Sequence, residues 1–179
     1  MTDLDDPARL LTPVDPAVDH WRWGADPETT VVMYGDFECP YTRMAYRILQ
    51  GLEQEMGDRL RLVFRHFPLT PIHPHAEPAA EASEAAAQQD RYWEMHDLLF
   101  HNQKALEPGD LRRYAQDAGL DLRRYDAAIA EPAPLRERIA RDVASGLRND
   151  VQGTPTIFVN EVVYDGPLDR AALGAAVGR

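Results

Sequence analysis

The sequence predicts an α/β fold, with a mixed sheet of about four strands flanked by helices and an inserted all-helical subdomain. Two observations indicate this class. Short apolar runs rich in β-branched and aromatic residues alternate with helical patterns near both ends of the chain. Between these parts, every periodic segment has helical spacing. The predicted order is strand, helix, strand, helical insertion, strand, strand and helix.

The first part of the chain contains a lead-in and a strand–helix–strand unit. Residues 1–28 are rich in Asp and Pro, and we expect them to be irregular. Residues 31–37, which begin with an apolar run at positions 31–34, are predicted to form a buried strand. Helical spacing begins at Pro40 and stops at Gly57, a residue type that suits a helix C-terminus. Residues 60–67 form the next predicted strand.

The second part begins with residues 75–149, which are predicted to be helical throughout. This stretch of about 75 residues is too regular for a loop, so it should form a subdomain. Residues 156–160 and 162–165 are predicted strands joined by a tight turn, and a helix follows from Pro167. The predicted boundaries are 1–28 for the lead-in, 29–74 with 150–179 for the α/β domain, and 75–149 for the insertion.

Composition and charge narrow the classes of partner and compartment. A chain of 179 residues that is 44% hydrophobic can bury the core of one domain. A net charge of −11 argues against binding to nucleic acid or an anionic membrane surface. No apolar stretch approaches the roughly 18 residues of a membrane span, and the acidic start, residues 1–6, does not resemble a secretory signal. Together with the single cysteine, this predicts a cytoplasmic protein.

Cys39 is the only cysteine, and it lies between the first predicted strand and the first helix. Residues 39–42 read Cys-Pro-Tyr-Thr, so Thr42 occupies the second cysteine position of a Cys-x-x-Cys motif. A helix N-terminus favours a thiolate, and we expect the Thr42 hydroxyl to donate a hydrogen bond to the sulfur. The charges of Asp36 and Glu38 oppose the thiolate, an effect that we expect to be minor if both point to solvent. The alternative is a small core cysteine without chemistry.

Five segments carry a family resemblance, in order along the chain: YGDFECPY (34–41), FRHFPL (64–69), HPHAEPAAEASEAAAQQDRYWEMHDLLF (73–100), LRRYAQDAGLD (111–121) and GTPTIFVN (153–160). Together they resemble the DsbA-like thioredoxin-fold family, and they look most similar to the thioredoxin domains fused to sodium/proton antiporters. The resemblance implies a thioredoxin fold interrupted by the helical insertion. It also implies thiol–disulfide exchange as the activity.

The resemblance assigns roles to residues of two loops. Cys39 matches the attacking thiol, and Pro40 and Tyr41 match the residues that follow it in the motif. Thr154 and Pro155 match a cis-proline loop that lies beside the thiol and docks an extended substrate. We therefore expect Cys39 to be the nucleophile and the other four residues to contact substrate.

The sequence departs from the family pattern at two positions. Thr42 replaces the cysteine that resolves the mixed disulfide. Met33 stands six residues before Cys39, where thioredoxin-like proteins commonly carry a buried acid that deprotonates the second thiol. A chain without the second thiol has no use for that acid, and a lone buried carboxylate is costly. Dithiol turnover by this chain alone is excluded on stoichiometry.

The expected function is that of a thiol–disulfide oxidoreductase-type protein with a single thiol. Cys39 would attack a disulfide or exchange with glutathione, and an external thiol would resolve the product. The expected partners are a protein disulfide, a peptide or glutathione, the last as a candidate co-substrate; no other cofactor is expected, and the chain would be a monomer or homodimer. Two alternatives stay open: a glutathione-dependent transferase or isomerase of kappa type, and a non-catalytic peptide-binding or scaffold protein.

The histidines do not predict a metal site. Their spacing fits no zinc pattern, and no second cysteine is available as a ligand. We expect packing and capping roles for the histidines at positions 66, 73, 75, 96 and 101.

Overall fold

The computed structural model describes residues 8–178, so the acidic start, residues 1–6, lies outside the described residues. The strands are β1 (His20–Trp23), β2 (Thr29–Gly35), β3 (Leu60–His66), β4 (Thr156–Val159) and β5 (Val162–Tyr164). The helices are α1 (Pro40–Met56), α2 (Ala76–Ala87), α3 (Tyr92–His101), α4 (Pro108–Asp117), α5 (Leu122–Ala130), α6 (Ala133–Arg148) and α7 (Arg170–Val177), and a short 3-10 helix spans Gly57–Arg59.

The strands form one mixed sheet in the order β1-β3-β2-β4-β5. Central strand β2 runs parallel to β3 and antiparallel to β4. The two outer strands are antiparallel to their neighbours. Because β2 has side chains packed on both faces of the sheet, it is apolar along most of its length instead of alternating.

The α/β class and the helical insertion are confirmed, but the sheet has a fifth strand. Strand β1 lies in the segment that was expected to be irregular, and it pairs with β3 from His20 opposite Phe64 to Trp23 opposite Arg61. All four of its residues are only half-buried. An edge strand this short owes its conformation to backbone hydrogen bonds with β3, and such pairing leaves little mark on the local sequence.

The helical insertion packs closely on the sheet. Helix α6 lies against β3, and Gly146 permits the close approach, since a Cβ atom there would be 2.7 Å from the Phe67 ring. A larger apolar cluster includes side chains from α1, α7 and the insertion, and a smaller one includes Val32, Val63 and Phe158. Among residues 8–178, no helix is both long and apolar enough to cross a bilayer.

Candidate functional site

Cys39 is the N-cap residue of α1, in the loop that follows β2. Its backbone is extended, with φ −75° and ψ 119°, and Pro40 opens the helix at a position that needs no N–H donor. The Cys39 N–H donates to the Asp36 carbonyl at 3.1 Å, and the Cys39 carbonyl accepts from the Arg43 N–H at 3.2 Å. The residue is only 4% exposed. The thiol is therefore held at the start of a helix and is almost completely shielded from solvent.

The loop before β4 lies directly beside the thiol. The Thr154–Pro155 peptide bond is cis, and the Cys39 thiol donates to the Thr154 carbonyl oxygen at 3.2 Å. The Thr156 hydroxyl closes the loop by donating to the Gly153 carbonyl at 2.8 Å. The structure thus brings together two segments that are 115 residues apart in sequence.

The remaining motif residues differ in exposure and contacts. Pro40 is exposed and Tyr41 is 61% exposed, so both border the thiol from the solvent side. Thr42 is fully buried, and its hydroxyl oxygen accepts from the Asp36 N–H at 3.4 Å. The expected hydrogen bond from Thr42 to the sulfur is not found within residues 8–178. Its hydroxyl faces the loop before the thiol, because the first turn of α1 carries residue 42 under that loop.

A buried carboxylate, that of Asp36, organises the loop before the thiol. Asp36 is 1% exposed, and its Oδ1 accepts from the Glu38 N–H at 2.7 Å. Its Oδ2 accepts from the Leu69 N–H at 2.8 Å and lies 2.8 Å from Nδ1 of His73. The condition under which the charge of Asp36 was expected to have a minor effect, that it points to solvent, is therefore not met. The sequence shows that Asp36 lies close to Cys39. It does not show that Asp36 binds Leu69 and His73, which are more than 30 residues away.

Glu38, the residue before the thiol, also binds a partner instead of extending into solvent. Its carboxylate accepts from the His75 N–H at 2.7 Å and lies 3.0 Å from the His75 ring. The hydrogen bond that the His75 ring donates to Glu38, helped by a weaker one to Glu107, raises the pKa of His75. These contacts link the thiol loop to the first and third helices of the insertion.

Gln103, at the end of α3, is a further site residue that the sequence analysis did not identify. Its side-chain amide donates to the carbonyl oxygens of Phe37 and Cys39, each at 2.8 Å. The insertion therefore positions the thiol loop directly. A half-buried glutamine after a helix gives no local signal of such a role.

One group of candidate metal ligands occurs among the described residues, and it lies apart from the motif. Nε2 of His20 and Nε2 of His66 lie 2.8 and 2.7 Å from the same oxygen of Glu84. Burial alone would raise the pKa of Glu84, but the hydrogen bonds from the two histidines outweigh it and hold the pKa well below its usual value. In this arrangement the carboxylate already has two imidazole partners, and the three residues join β1, β3 and α2.

Comparisons with known proteins point to one family. A family model described as Thioredoxin matches residues 19–179. The chain is 47% identical over 168 residues to a protein of Salinispora tropica named Na(+)/H(+) antiporter NhaA 3, which covers 94% of this chain and 26% of that protein. The chain therefore spans about a quarter of the length of the curated relatives that it matches.

Solved structures resemble the chain over nearly its whole length. A thioredoxin-like oxidoreductase from Silicibacter pomeroyi superposes with a TM-score of 0.79 at 28% identity, covering 92% of each chain. Oxidised BdbD from Bacillus subtilis superposes with a TM-score of 0.81 at 20% identity, covering 97% of each chain. The second likeness supports the fold alone, whereas the first extends to the sequence as well.

Proposed function

The chain belongs to the thioredoxin family, and from this premise we propose that it acts as a thiol–disulfide oxidoreductase through one thiol, that of Cys39. The observation that carries the proposal is the contact of 3.2 Å between the Cys39 sulfur and the Thr154 carbonyl. The only thiol of the chain thus lies both at a helix N-terminus and beside the cis-proline loop. The attacking species in such an exchange is the thiolate, and the dipole of a helix favours negative charge at its N-terminus.

The proposed chemistry consists of two exchanges. The Cys39 thiolate attacks one sulfur of a substrate disulfide, the substrate S–S bond breaks, and the departing sulfur leaves as a thiolate that takes up a proton. The product is a mixed disulfide on Cys39. An external thiol such as glutathione, as its thiolate, then attacks the substrate sulfur and regenerates the Cys39 thiolate. No cofactor is needed, and the lone cysteine supports the cytoplasm, a reducing compartment, as the place of action.

The surrounding residues have distinct proposed roles. Pro40 and Tyr41 border the thiol on the exposed side, and an extended substrate would pair with the backbone at Thr154 and Pro155. Thr42 acts as a positioning residue, because its hydroxyl supports the backbone of Asp36 and does not bond to the sulfur. If the Thr154 carbonyl accepted a hydrogen bond from a bound substrate instead of from the thiol, the sulfur would be free to attack.

The test is adduct formation with oxidised glutathione, followed by intact-protein mass spectrometry. The native protein should gain one glutathione on Cys39, and the adduct should persist until a thiol is added, because Thr42 cannot resolve it. Cys39→Ser is the matched control and should gain none. If the native protein forms no adduct while the urea-unfolded protein does, the thiol is inert in the fold and the non-catalytic binding protein becomes the better assignment.

A further inference from the structure

A groove of about 510 Å³ begins at Pro40 and runs along α1, between the end of α3 and the start of α7. We call it the α1 groove. Its apolar surface includes Pro40 and the half-exposed Met44. Four cationic side chains line it: Arg43, Arg47, Lys104 and Arg170. Such a concentration of positive charge is unusual in a chain whose net charge is −11 and whose only lysine is Lys104.

Most of these cations lack an acidic partner within the part of the chain that the structure describes. Arg170 forms an ion pair with Glu55 at 2.5 Å. No ion pair joins Arg43, Arg47 or Lys104 to any carboxylate of residues 8–178. Arg43 and Arg47 are also one helical turn apart, where like charges repel each other. The charges of these side chains are thus not offset by an ion pair within the described residues, which leaves positive charge available to a ligand.

The groove is connected to the thiol by the backbone. The Arg43 N–H donates to the Cys39 carbonyl at 3.2 Å, so Arg43 lies one turn into the helix. Gln103 donates to the same carbonyl at 2.8 Å, which brings the adjacent Lys104 to the groove near the thiol. With a rise of about 1.5 Å per residue, the helix carries Arg47 about 12 Å from the level of Cys39. An extended peptide covers that length with about four residues.

We propose that the α1 groove binds an acidic, extended segment of the protein substrate, adjacent to the cysteine that reacts with Cys39. The assignment of a reacting cysteine rests on the proposed function. Three features favour a peptide of this chemistry. The unpaired cations are spread over two helical turns and do not converge on one point, the groove is open along the helix, and its apolar surface can contact the aliphatic parts of Glu side chains.

The test compares three disulfide-bearing peptides that differ only in the four residues beside their cysteine, which are Glu, Gln or Lys. The measured quantity is the rate constant for adduct formation on Cys39. At an ionic strength of about 0.01 M the Glu peptide should react at least about tenfold faster than the Gln peptide, and the Lys peptide should be slowest. The differences between the three rate constants should disappear at about 1 M salt, where the Debye length is about 3 Å.

Two variants with the same change in net charge locate the effect. Arg43→Gln/Arg47→Gln should remove most of the preference for the Glu peptide. Arg123→Gln/Arg141→Gln removes two exposed arginines that lie on other helices and should leave the preference intact. Alkylation by neutral iodoacetamide should be equal in the native protein and both variants, because the groove acts on the substrate and not on the thiol.

The outcomes separate this inference from the proposed function. Equal rates for the three peptides, or an iodoacetamide rate that falls in parallel with the Glu-peptide rate, would overturn the groove assignment. If the reaction with free oxidised glutathione depends on Arg43 and Arg47 as strongly as the reaction with the Glu peptide does, the groove would bind a small disulfide. The proposal of a peptide ligand would then be overturned. Binding of cysteine-free Glu peptide is also measured on Cys39→Ser by fluorescence anisotropy. Binding there, together with an unreactive Cys39 in the native protein, would leave the groove standing and refute the exchange chemistry.

Discussion

Acidification should destabilise the protein through one buried side chain, that of His96. The imidazole is fully buried in α3, and the rings of Tyr46, Phe64 and Phe100 have centroids within 4.9 Å of its own. Its Nδ1 lies 3.2 Å from the Asp97 carboxylate, while Nε2 has no partner within the described residues. Burial among these rings lowers the pKa of His96 to about 4.

The sign and size of the effect follow from this pKa. In the unfolded chain the histidine titrates near pH 6.5, so below that pH the unfolded state binds a proton that the native state rejects. The free energy of unfolding is thus unaffected above about pH 7 and falls as the pH drops from about 6.5 towards about 4. At about 1.4 kcal/mol per pKa unit, the loss is about 2 kcal/mol by about pH 5 and about 3 kcal/mol in total.

The assay is urea unfolding at several pH values, performed on the native protein and on His96→Phe. Phenylalanine fits an aromatic environment and does not titrate, so this variant should lack about 2 kcal/mol of the pH-dependent loss near pH 5. The difference between the two proteins cancels the titration of groups that His96 does not contact, and Asp97, its hydrogen-bond partner, has a pKa of about 2, well below the pH of the comparison. His101→Gln, at an exposed position of the same helix, is the matched control and should behave as the native protein. Equal pH slopes for the native protein and His96→Phe would refute the reasoning.

Three further predictions concern the thiol loop. Thr42→Cys should form an internal disulfide with Cys39 on oxidation, detected by mass spectrometry, and gain about 2 kcal/mol in urea unfolding from loop closure; a free-thiol product would contradict the expected helix geometry. Adding Met33→Glu should raise insulin-reduction turnover above that of Thr42→Cys alone while lowering stability, and a double variant that is no faster would contradict the inference that an acid at position 33 serves a thiol at position 42. Gln103→Leu should lower the free energy of unfolding by about 1–3 kcal/mol, because the Phe37 carbonyl loses its side-chain donor and the Cys39 carbonyl keeps only the Arg43 N–H. It should also alter the iodoacetamide rate of the native state; an unchanged rate would show that Gln103 does not position the thiol.

The elements that the sequence predicted well are those whose own side chains fill the core. Strand β2 was expected at residues 31–37 and is found at Thr29–Gly35, and α1 begins at Pro40 as expected. Their apolar patterns reflect burial directly. Strand β1 was not predicted, because its sequence HWRW mixes polar and aromatic residues and its conformation depends on pairing with β3.

The site was predictable only where a local motif marks it. Cys39 and the segment at Thr154 were identified from such motifs, and the structure brings them into contact. Asp36 and Gln103 act through hydrogen bonds to groups far away in sequence, so neither gave a pattern that sequence analysis could recognise. The role expected for Thr42 was wrong for a related reason, since the direction of a buried hydroxyl depends on the loop packed above it.

Two buried positions near the thiol, 33 and 36, bear on the half of the exchange that we propose for this site. Both oxygens of Asp36 are occupied by donors from its own loop and from the segment at Leu69, so this carboxylate holds the thiol loop in place. Met33 is fully buried and lies opposite Ile157 in the sheet, where a carboxylate would have apolar neighbours. The anchor that presents the first thiol is therefore present, whereas the acid and the cysteine that would serve the second thiol are both absent. Under the proposed chemistry this combination supports attack on a substrate disulfide and leaves resolution to an external thiol.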